Sequence, residues 1–399
     1  MIIIKAGLHP KTQKVKSHSI GEMKNTIFII ITSRSSYSKF KSIITEFIKK
    51  KISFQIICSS SSILEKYGNL DKLIEGDGFK VYEKVYNNIE HESLENNCKS
   101  VGMAIIEFSS LFRRLKPKMI MVMGDRYEVI APTIAASYQN ILVAHVQGGE
   151  ISGNIDDKVR DAISCLSDYH FPATKNSALR LKKIVKDDTK VFNVGCPSID
   201  LAKKIKKKKL ISFNFHKKYS GVGSKIDFSK KYIIVMQHPV TNEYGSGKKQ
   251  ILETYKAIIE SNLQAIWFWP NSDAGSFDIS KILRTKRELN KKELSKIFFV
   301  KNMSPDNFLE LVYFSNGILG NSSAAIRECS YLGIPSINIG SRQNGREMGK
   351  NVTSAKYNKD EIKELIKKKF IKKKLNQTDT LYGNGQAGSK IAKVISSLI

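Results

Sequence analysis

The sequence has few of the residues that build metal centres and disulfide-bonded folds. Its 399 residues include 5 cysteines and 7 histidines. The cysteines are scattered and form no CxxC pair, and the histidines form no HxxxH or HExxH pattern. This spacing excludes the common zinc motifs and a disulfide framework, and it favours a reduced cytoplasmic setting with no structural metal.

Long hydrophobic runs are absent as well. No apolar stretch approaches the roughly 20 residues that a membrane-spanning helix needs. The opening run Met1–Ile4 is too short for a signal peptide, and Lys5 and Lys11 follow it closely. The sequence therefore predicts a cytoplasmic protein with no membrane partner.

Acidic residues are scarce relative to basic ones: 37 Asp and Glu against 66 Lys and Arg give a net charge of +29. Such a charge suggests nucleic-acid binding as one function class. The lysines, however, concentrate in helix-like runs such as 203–209 and 367–374, and no RNP, zinc-finger or basic-zipper pattern is present. Solvated lysine-rich faces explain these runs better, and a positive field also suits an anionic substrate.

Strand-like runs alternate with helical patterns along most of the chain, which is typical of βα units with parallel sheets. The predicted strands of the first half are Thr26–Thr32, Ser53–Cys58, Met119–Met123, Ile141–Val146 and Lys190–Val194. Those of the second half are Tyr232–Gln237, Gln264–Trp269, Ile297–Val300, Ile318–Gly320 and Ser336–Ile339. We predict an α/β protein with a disordered leader at 1–23 and two Rossmann-like domains, at 24–205 and 206–399, the second ending in helices.

Polar residues follow the predicted strands at their carboxyl ends, where open parallel sheets bind ligands. Arg34 and Ser38 follow the first strand, where they can contact a phosphate, although a capped loop with a solvated arginine has the same pattern. Asp125 and Arg126 follow the strand at Met119–Met123. This pair favours a site, and a local ion pair is the alternative.

Three carboxylates, Glu150, Asp156 and Asp157, come shortly after the next strand and a pair of glycines that permit close backbone approach. Asp156 and Asp157 also fit an ordinary acidic helix N-terminus, an explanation that does not extend to Glu150. In the second half, His238 and Asn271 end two successive strands. The placement of all these residues at strand ends in both halves predicts one site between the halves.

Residues 317–339 give a further indication of a nucleotide site. A short strand leads into Ser322 and Ser323, and a helix is predicted from Ala324 to Leu332. A helix N-terminus offers unpaired N–H groups to a diphosphate, and Glu328 can hold a ribose diol. An ordinary strand-to-helix turn capped by serine is the alternative.

Nine short segments occur in an order that resembles the hydrolysing UDP-N-acetylglucosamine (UDP-GlcNAc) 2-epimerases. The similarity is greatest to the epimerase domain of the bifunctional UDP-GlcNAc 2-epimerase/ManNAc kinase and its single-domain bacterial relatives. The segments are RSSYSK at 34–39, GDR at 124–126, GGEISG at 148–153, IDD at 155–157, GCPS at 195–198, QHPVT at 237–241, PNSDAGS at 270–276, GNSS at 320–323 and GSRQNGRE at 340–347. The kinase half has no counterpart in this sequence.

This resemblance implies a glycosyltransferase-B-like fold with a UDP-sugar in the interdomain cleft. The matched positions imply four catalytic residues: Asp125, Glu150, Asp156 and His238. They imply nine substrate-binding residues: Arg34, Ser38, Arg126, Asp157, Asn271, Ser322, Ser323, Glu328 and Arg342. The resemblance also implies that the enzyme needs no cofactor or metal, binds no nucleic acid, and forms a homodimer or homotetramer.

The implied reaction converts UDP-GlcNAc and water to N-acetylmannosamine (ManNAc) and UDP through 2-acetamidoglucal, for the biosynthesis of sialic acid or a related nonulosonate. The proton transfers are assigned to Asp125, Glu150 and Asp156, in an order that the sequence leaves open. Two alternatives remain at this stage: the same reaction on UDP-N,N'-diacetylbacillosamine, and sugar transfer by a UDP-sugar glycosyltransferase of the same fold.

Overall fold

A computed structural model describes residues 24–89, 93–289, 296–370 and 378–399. The predicted leader at 1–23 lies outside these residues. The described chain forms two β-sheets flanked by helices, one sheet in each half of the sequence.

The first half contains a six-stranded sheet in the order β3-β2-β1-β4-β5-β6, with every neighbouring pair parallel. Its strands are β1 (Ile27–Ile31), β2 (Phe54–Ser59), β3 (Val81–Val85), β4 (Met119–Met123), β5 (Leu142–Val146) and β6 (Tyr169–Phe171). Its helices are α1 (Arg34–Lys49), α2 (Leu70–Gly76), α3 (Leu94–Leu115), α4 (Ile130–Ser137), α5 (Ile155–Cys165), α6 (Lys175–Ile184) and α7 (Ser198–Ile205).

The second half repeats this arrangement. Its strands are β7 (Gly221–Gly223), β8 (Tyr232–Met236), β9 (Gln264–Phe268), β10 (Ile297–Val300), β11 (Ile318–Gly320), β12 (Ser336–Ile339) and β13 (Val352–Ala355). Its helices are α8 (Phe215–Lys218), α9 (Gly247–Ser261), α10 (Ser276–Leu289), α11 (Pro305–Phe314), α12 (Glu328–Leu332), α13 (Lys359–Lys369) and α14 (Ala387–Ser396). The sheet order is β13-β12-β11-β8-β9-β10-β7, and β7 is antiparallel to its neighbour β10.

Each half therefore has the Rossmann strand order, which confirms the predicted fold class. The central strands were predicted because parallel strands covered on both faces form continuous apolar runs. The strands that the sequence missed, β3, β6, β7 and β13, are all at sheet edges, where they are short or half-exposed.

The strand predicted at Lys190–Val194 is wrong. Residues Asp188–Lys190 form a single 3₁₀ turn, and Val191 makes only an isolated parallel bridge to His170. Asp187 stabilises that turn by accepting a hydrogen bond from the Thr189 N–H at 3.1 Å. The apolar residues that follow the turn therefore extend the sheet by one residue pair and not by a strand.

The last helix, α14, returns to the first half of the molecule. Ile391 and Ile395 are fully buried in the core of the N-terminal sheet. Asp200 of α7 accepts hydrogen bonds from the Ala387 and Gly388 N–H groups at 2.9 and 2.7 Å, and so caps the helix from the N-terminal half. The sequence grouped this helix with the domain at 206–399, whereas its packing places it in the core of the first half.

The strand order also determines where a ligand site can lie. In each half the chain reverses its direction of travel across the sheet, between β1 and β4 in the first and between β8 and β11 in the second. Open parallel sheets bind ligands outside the carboxyl ends of the strands at such points. The residues that follow these four strands line one cleft between the halves.

Two features are absent from the described residues. Within them, no helix is long and apolar enough to cross a membrane. The same residues contain no group of three or more His, Cys, Asp or Glu side chains with the placement of a metal site.

Candidate active site

The interdomain cleft contains most of the residues that the sequence singled out. Eleven of the thirteen line it: Arg34, Ser38, Asp125, Arg126, Asp156, His238, Asn271, Ser322, Ser323, Glu328 and Arg342. The cleft is polar along the strand ends and apolar in the region formed by Phe268, Met303, Pro305, Phe308 and Leu309. Glu150 and Asp157 are not part of its lining.

Asp125 and Asp156 are two cleft carboxylates in opposite electrostatic surroundings. Asp125 accepts hydrogen bonds from Arg160 and, at 3.5 Å, from Arg346. Burial alone would raise the pKa of Asp125, but these guanidinium groups lower it well below its usual range. Burial, together with the nearby Asp125 and Asp273 carboxylates, raises the pKa of Asp156 to about 7. At neutral pH Asp125 is therefore ionised, whereas Asp156 can still hold a proton.

Glu150 is placed differently from its sequence assignment. Its side chain is 4% exposed, and Oε2 accepts hydrogen bonds from Arg346 and, at 2.5 Å, from Arg327. Burial opposes ionisation, yet the two arginines lower the pKa of Glu150. Glu150, which was predicted to be catalytic, is therefore an ionised member of a buried ion cluster. The sequence could not show this, because both arginine partners come from the other half of the chain.

Asp157 also differs from its predicted role. Its carboxylate accepts hydrogen bonds from the N–H and Oγ of Ser152, the Gly153 N–H and Arg160, each at 2.7 Å. Although burial acts in the other direction, the bonds from Ser152 lower the pKa of Asp157. Every one of these partners lies in the N-terminal half, so Asp157 fixes the loop that follows Glu150 and is not part of the cleft lining.

A second ion cluster bridges the cleft. Asp273 of the second half accepts hydrogen bonds from Arg126 at 2.7 Å, Arg342 at 3.2 Å and Asn271 at 2.6 Å. Burial opposes ionisation, but Arg126 and Arg342 dominate and lower the pKa of Asp273 to about 2. Asp273 therefore orients three of the predicted binding residues, and it links Arg126 of one half to the other half.

His238 has a fixed position and a defined tautomer. Its backbone N–H donates to Asn321 Oδ1 and its carbonyl accepts from Asn321 Nδ2, both at 2.8 Å. Its Nδ1 accepts from the Asn271 N–H at 3.2 Å, which places the ring proton on Nε2. Burial and the Arg342 charge hold the pKa of His238 well below its usual range. The imidazole is therefore a neutral hydrogen-bond donor at the cleft.

The serine segment after β11 differs from the helix predicted at Ala324–Leu332. Residues Ser323–Ala325 form one 3₁₀ turn, and α12 begins only at Glu328. Ser322 caps the turn through a 3.4 Å hydrogen bond from the Ala324 N–H. Two serines thus face the cleft from a tight turn, whose dipole is smaller than that of the predicted helix.

Glu328 and Arg34 are cleft residues with hydrogen-bonding capacity to spare. Glu328 is 7% exposed, and its Oε2 has no hydrogen-bond partner among the described atoms. Arg34 donates to the Lys301 carbonyl across the interdomain boundary, and burial together with the charge of Arg126 lowers its pKa to about 10. A carboxylate acceptor and a partly desolvated cation in one cleft suit a ligand that carries both hydroxyl and anionic groups.

Several residues in or beside the cleft were not assigned from the sequence: Lys39, Gln147, Arg327 and Arg346 line it, and Asp273 accepts a hydrogen bond from Arg342 of the lining. Most lie inside the short segments that carry the resemblance, so a search for further charged residues in those segments would have found them. Gln147 has a backbone φ of 69°, which is uncommon outside glycine, and its amide donates to Cys196 Sγ at 2.8 Å. No local sequence signal indicates that strained conformation.

Residues 47–396 match the family described as UDP-N-acetylglucosamine 2-epimerase. The chain belongs to this epimerase family. Among its relatives, a hydrolysing UDP-N,N'-diacetylbacillosamine 2-epimerase of Legionella pneumophila is 29% identical, covering 94% of this chain and 97% of that protein. A UDP-N-acetylglucosamine 2-epimerase of Neisseria meningitidis is 28% identical, covering 93% and 95%.

Solved structures show the fold of this epimerase family. The Neisseria meningitidis UDP-GlcNAc 2-epimerase bound to UDP-GlcNAc has a TM-score of 0.73 at 19% identity. The match covers 93% of this chain and 100% of the Neisseria chain. The Methanocaldococcus jannaschii enzyme in complex with UDP-GlcNAc and UDP has a TM-score of 0.71 at 20% identity, covering 93% and 99%. The glycosyltransferase-B-like arrangement of two Rossmann-like halves is therefore the fold of this protein.

Proposed function

We propose that this protein is a hydrolysing 2-epimerase that converts UDP-GlcNAc and water to ManNAc and UDP. The observation that carries the proposal is the pairing of Asp125 and Asp156 in one cleft, with opposite pKa shifts, beside cleft-lining arginines and serines that suit a diphosphate. The family match and the relatives described as hydrolysing support it. We further propose that the ManNAc serves the synthesis of sialic acid or a related nonulosonate.

The first step is an elimination. Asp125, the ionised carboxylate, takes the proton from C2 of the sugar while the C1–O bond to UDP breaks. The electrons of the C2–H bond form the C1=C2 double bond of 2-acetamidoglucal, and the electrons of the C1–O bond leave with UDP. The C2 proton is weakly acidic, so this step requires a positioned base and stabilisation of the departing diphosphate.

The second step is the addition of water to the glucal. Asp156, in its protonated form, gives a proton to C2 on the opposite face, which inverts that carbon, and the water hydroxyl bonds to C1. The remaining proton of the water restores Asp156, and Asp125 releases its proton to solvent. Opposed protonation states of the two carboxyls thus allow one to act as base and the other as acid at the same pH.

The leaving group would be held by the cleft donors. His238 donates through Nε2, and Ser322, Ser323, Arg34 and Arg342 offer further donors along the cleft wall. Donors that are already oriented stabilise developing negative charge without reorganising during the reaction. The apolar part of the cleft suits a planar pyrimidine base, and the free Oε2 of Glu328 suits a ribose hydroxyl.

UDP-N,N'-diacetylbacillosamine is the alternative substrate, because a relative that acts on it is as similar to this chain as the UDP-GlcNAc enzymes are. A glycosyltransferase would need an acceptor and would not need an acid and a base placed to exchange a proton at C2.

The proposal is tested by incubating the purified protein with each UDP-sugar in the absence of an acceptor. We expect release of UDP and of the free 2-epimeric sugar, with UDP-GlcNAc giving ManNAc. Product analysis by NMR separates this result from its rivals. A UDP-linked epimer would exclude hydrolysis, and release of product only after an acceptor is added would favour a transferase.

Ser323→Ala is expected to weaken UDP binding by roughly 1–2 kcal/mol, the value of one hydrogen bond to a charged group. Calorimetric titration with UDP measures this change. Ser261→Ala is the matched control, since that serine donates to the Ile258 carbonyl and accepts from the Leu263 N–H at the end of α9, and it should bind UDP as the wild type does. Equal UDP affinity in Ser323→Ala and the control would remove Ser323 from the phosphate site.

A further inference from the structure

The ion cluster around Glu150 joins the two halves of the molecule. Glu150 lies in the first half, and both of its side-chain partners, Arg327 and Arg346, lie in the second. All three side chains are almost fully buried, with exposed fractions of 4%, 4% and 6%. Buried guanidinium–carboxylate pairs are stable only when every charge is matched, so this contact fixes the geometry of the interface.

The three residues differ in their relation to the cleft. Arg327 and Arg346 line it, whereas Glu150 does not. The guanidinium groups are therefore available to a bound ligand, and the carboxylate sits behind them as their anchor. One oxygen of Glu150 and the Nε of Arg327 have no partner among the described atoms, so the cluster does not saturate either group.

The charges of the cluster balance. Its carboxylates are Asp125, Glu150 and Asp157, and its guanidiniums are Arg160, Arg327 and Arg346. Arg346 contacts both Glu150 and Asp125, so the anchor and the proposed base share one cation. Loss of one anion would leave an uncompensated buried cation, and the arginines would be free to leave their positions.

We propose that Glu150 is a positioning residue: it holds Arg327 and Arg346 in the cleft wall, and it transfers no proton in the reaction. The statement about proton transfer rests on the proposed function, whereas the expected effect on nucleotide binding does not. Two guanidiniums fixed at the cleft wall favour the dianionic diphosphate of a UDP-sugar. Their anchor therefore contributes to nucleotide affinity, which a carboxylate that only moved a sugar proton would not do.

The first test is Glu150→Gln, assayed by UDP titration and by turnover in heavy water. We expect UDP affinity to fall about tenfold, the equivalent of one charge-assisted hydrogen bond. We expect kcat to fall by no more than about a hundredfold, as for a misplaced binding group, with deuterium still entering C2 of the product. Unchanged UDP affinity with loss of C2 exchange would make Glu150 a proton carrier and overturn the proposal. Unchanged affinity with normal turnover would overturn it as well.

The second test is a double-mutant cycle with Arg327→Gln, read by UDP affinity. If Glu150 holds both arginines, Glu150→Gln lowers UDP affinity less in the Arg327→Gln background than in the wild type, because only Arg346 remains to be displaced. Equal losses in the two backgrounds would mean that Glu150 acts by another route. The double variant removes one charge of each sign, so its comparison with Arg327→Gln can still be measured if Glu150→Gln alone does not fold, and a further loss of affinity is then expected because Arg346 is released.

The matched control is Asp161→Asn, which removes a bidentate ion pair to Arg180 that lies within the N-terminal half. It should bind UDP and turn over as the wild type does. UDP titration needs no turnover. A wild-type protein that released no free sugar would therefore refute the proposed function, and the affinity results would still decide the role of Glu150.

Discussion

Asp156→Asn is expected to lower kcat by about 10²–10⁴-fold, the usual contribution of a positioned acid or base. The amide keeps the shape of the side chain but cannot donate the proton that C2 must receive. UDP affinity should change little, because within the described part of the chain no hydrogen bond joins the Asp156 side chain to the residues assigned to the diphosphate. Steady-state turnover and UDP titration of the same preparation measure the two effects separately.

The pH dependence of kcat tests whether Asp156 acts as the acid and Asp125 as the base. Asp156 acts in its protonated form, and its pKa is about 7, so wild-type kcat should fall as the pH rises through 7. Asp125 is ionised far below that range, so no acidic limb is expected near neutrality. Asp188→Asn, at an exposed carboxylate 3.6 Å from Lys182, should keep the wild-type profile. A kcat that rises through pH 7 would reverse the roles of the two carboxyls.

His238→Ala is expected to lower kcat by about 10²–10³-fold, as for the removal of one donor to developing negative charge. UDP affinity should fall less than kcat, because a donor oriented towards the transition state contributes most while the C1–O bond is breaking. His216→Ala is the control, since that imidazole bonds to the Ile226 backbone in the second half, away from the cleft residues.

The same variant tests the protonation state of His238. Burial and Arg342 keep the imidazole neutral, so wild-type kcat should show no titration at the ordinary histidine value of about 6.5 beyond the fall assigned to Asp156. A titration in the wild type near that pH, absent in His238→Ala, would show that the imidazolium participates and that the neutral-donor assignment is wrong.

The strands that build the site could be predicted from the sequence, because they are buried on both faces. Met119–Met123 and Ser336–Ile339 match the observed strands residue for residue. Because carboxyl ends of parallel strands share one edge, the order of strands also brought Asp125, His238 and Ser322 to one cleft. These placements required only hydrophobic patterning and the rule for ligand sites in open sheets.

The contacts between the halves could not be predicted in this way. Glu150 and Arg346 are separated by 196 positions in the sequence, yet they form an ion pair. Hydrophobic periodicity and motif spacing do not indicate such a pair. From the sequence alone, a residue buried behind the cleft therefore cannot be distinguished from one that lines it. The protonation of Asp156 likewise depends on Asp273, a carboxylate supplied by the other half.

The local contacts of a residue must therefore be known before a role that a family resemblance implies can be assigned to it. Asp157 stands beside Asp156 in the chain, but its carboxylate accepts four hydrogen bonds within its own half. A carboxylate with this many hydrogen bonds stabilises the loop, and it has few lone pairs left to accept hydrogen bonds from a substrate. Adjacent aspartates in one motif thus have different surroundings.

Deuterium incorporation at C2 tests the central claim most directly. The purified protein is incubated with UDP-GlcNAc in heavy water, and the released sugar is examined by NMR and mass spectrometry. The elimination route predicts free ManNAc with deuterium at C2, because the original C2 proton is lost and a solvent deuteron replaces it. Released ManNAc that retains its original C2 hydrogen would contradict the proposed exchange of protons through Asp125 and Asp156.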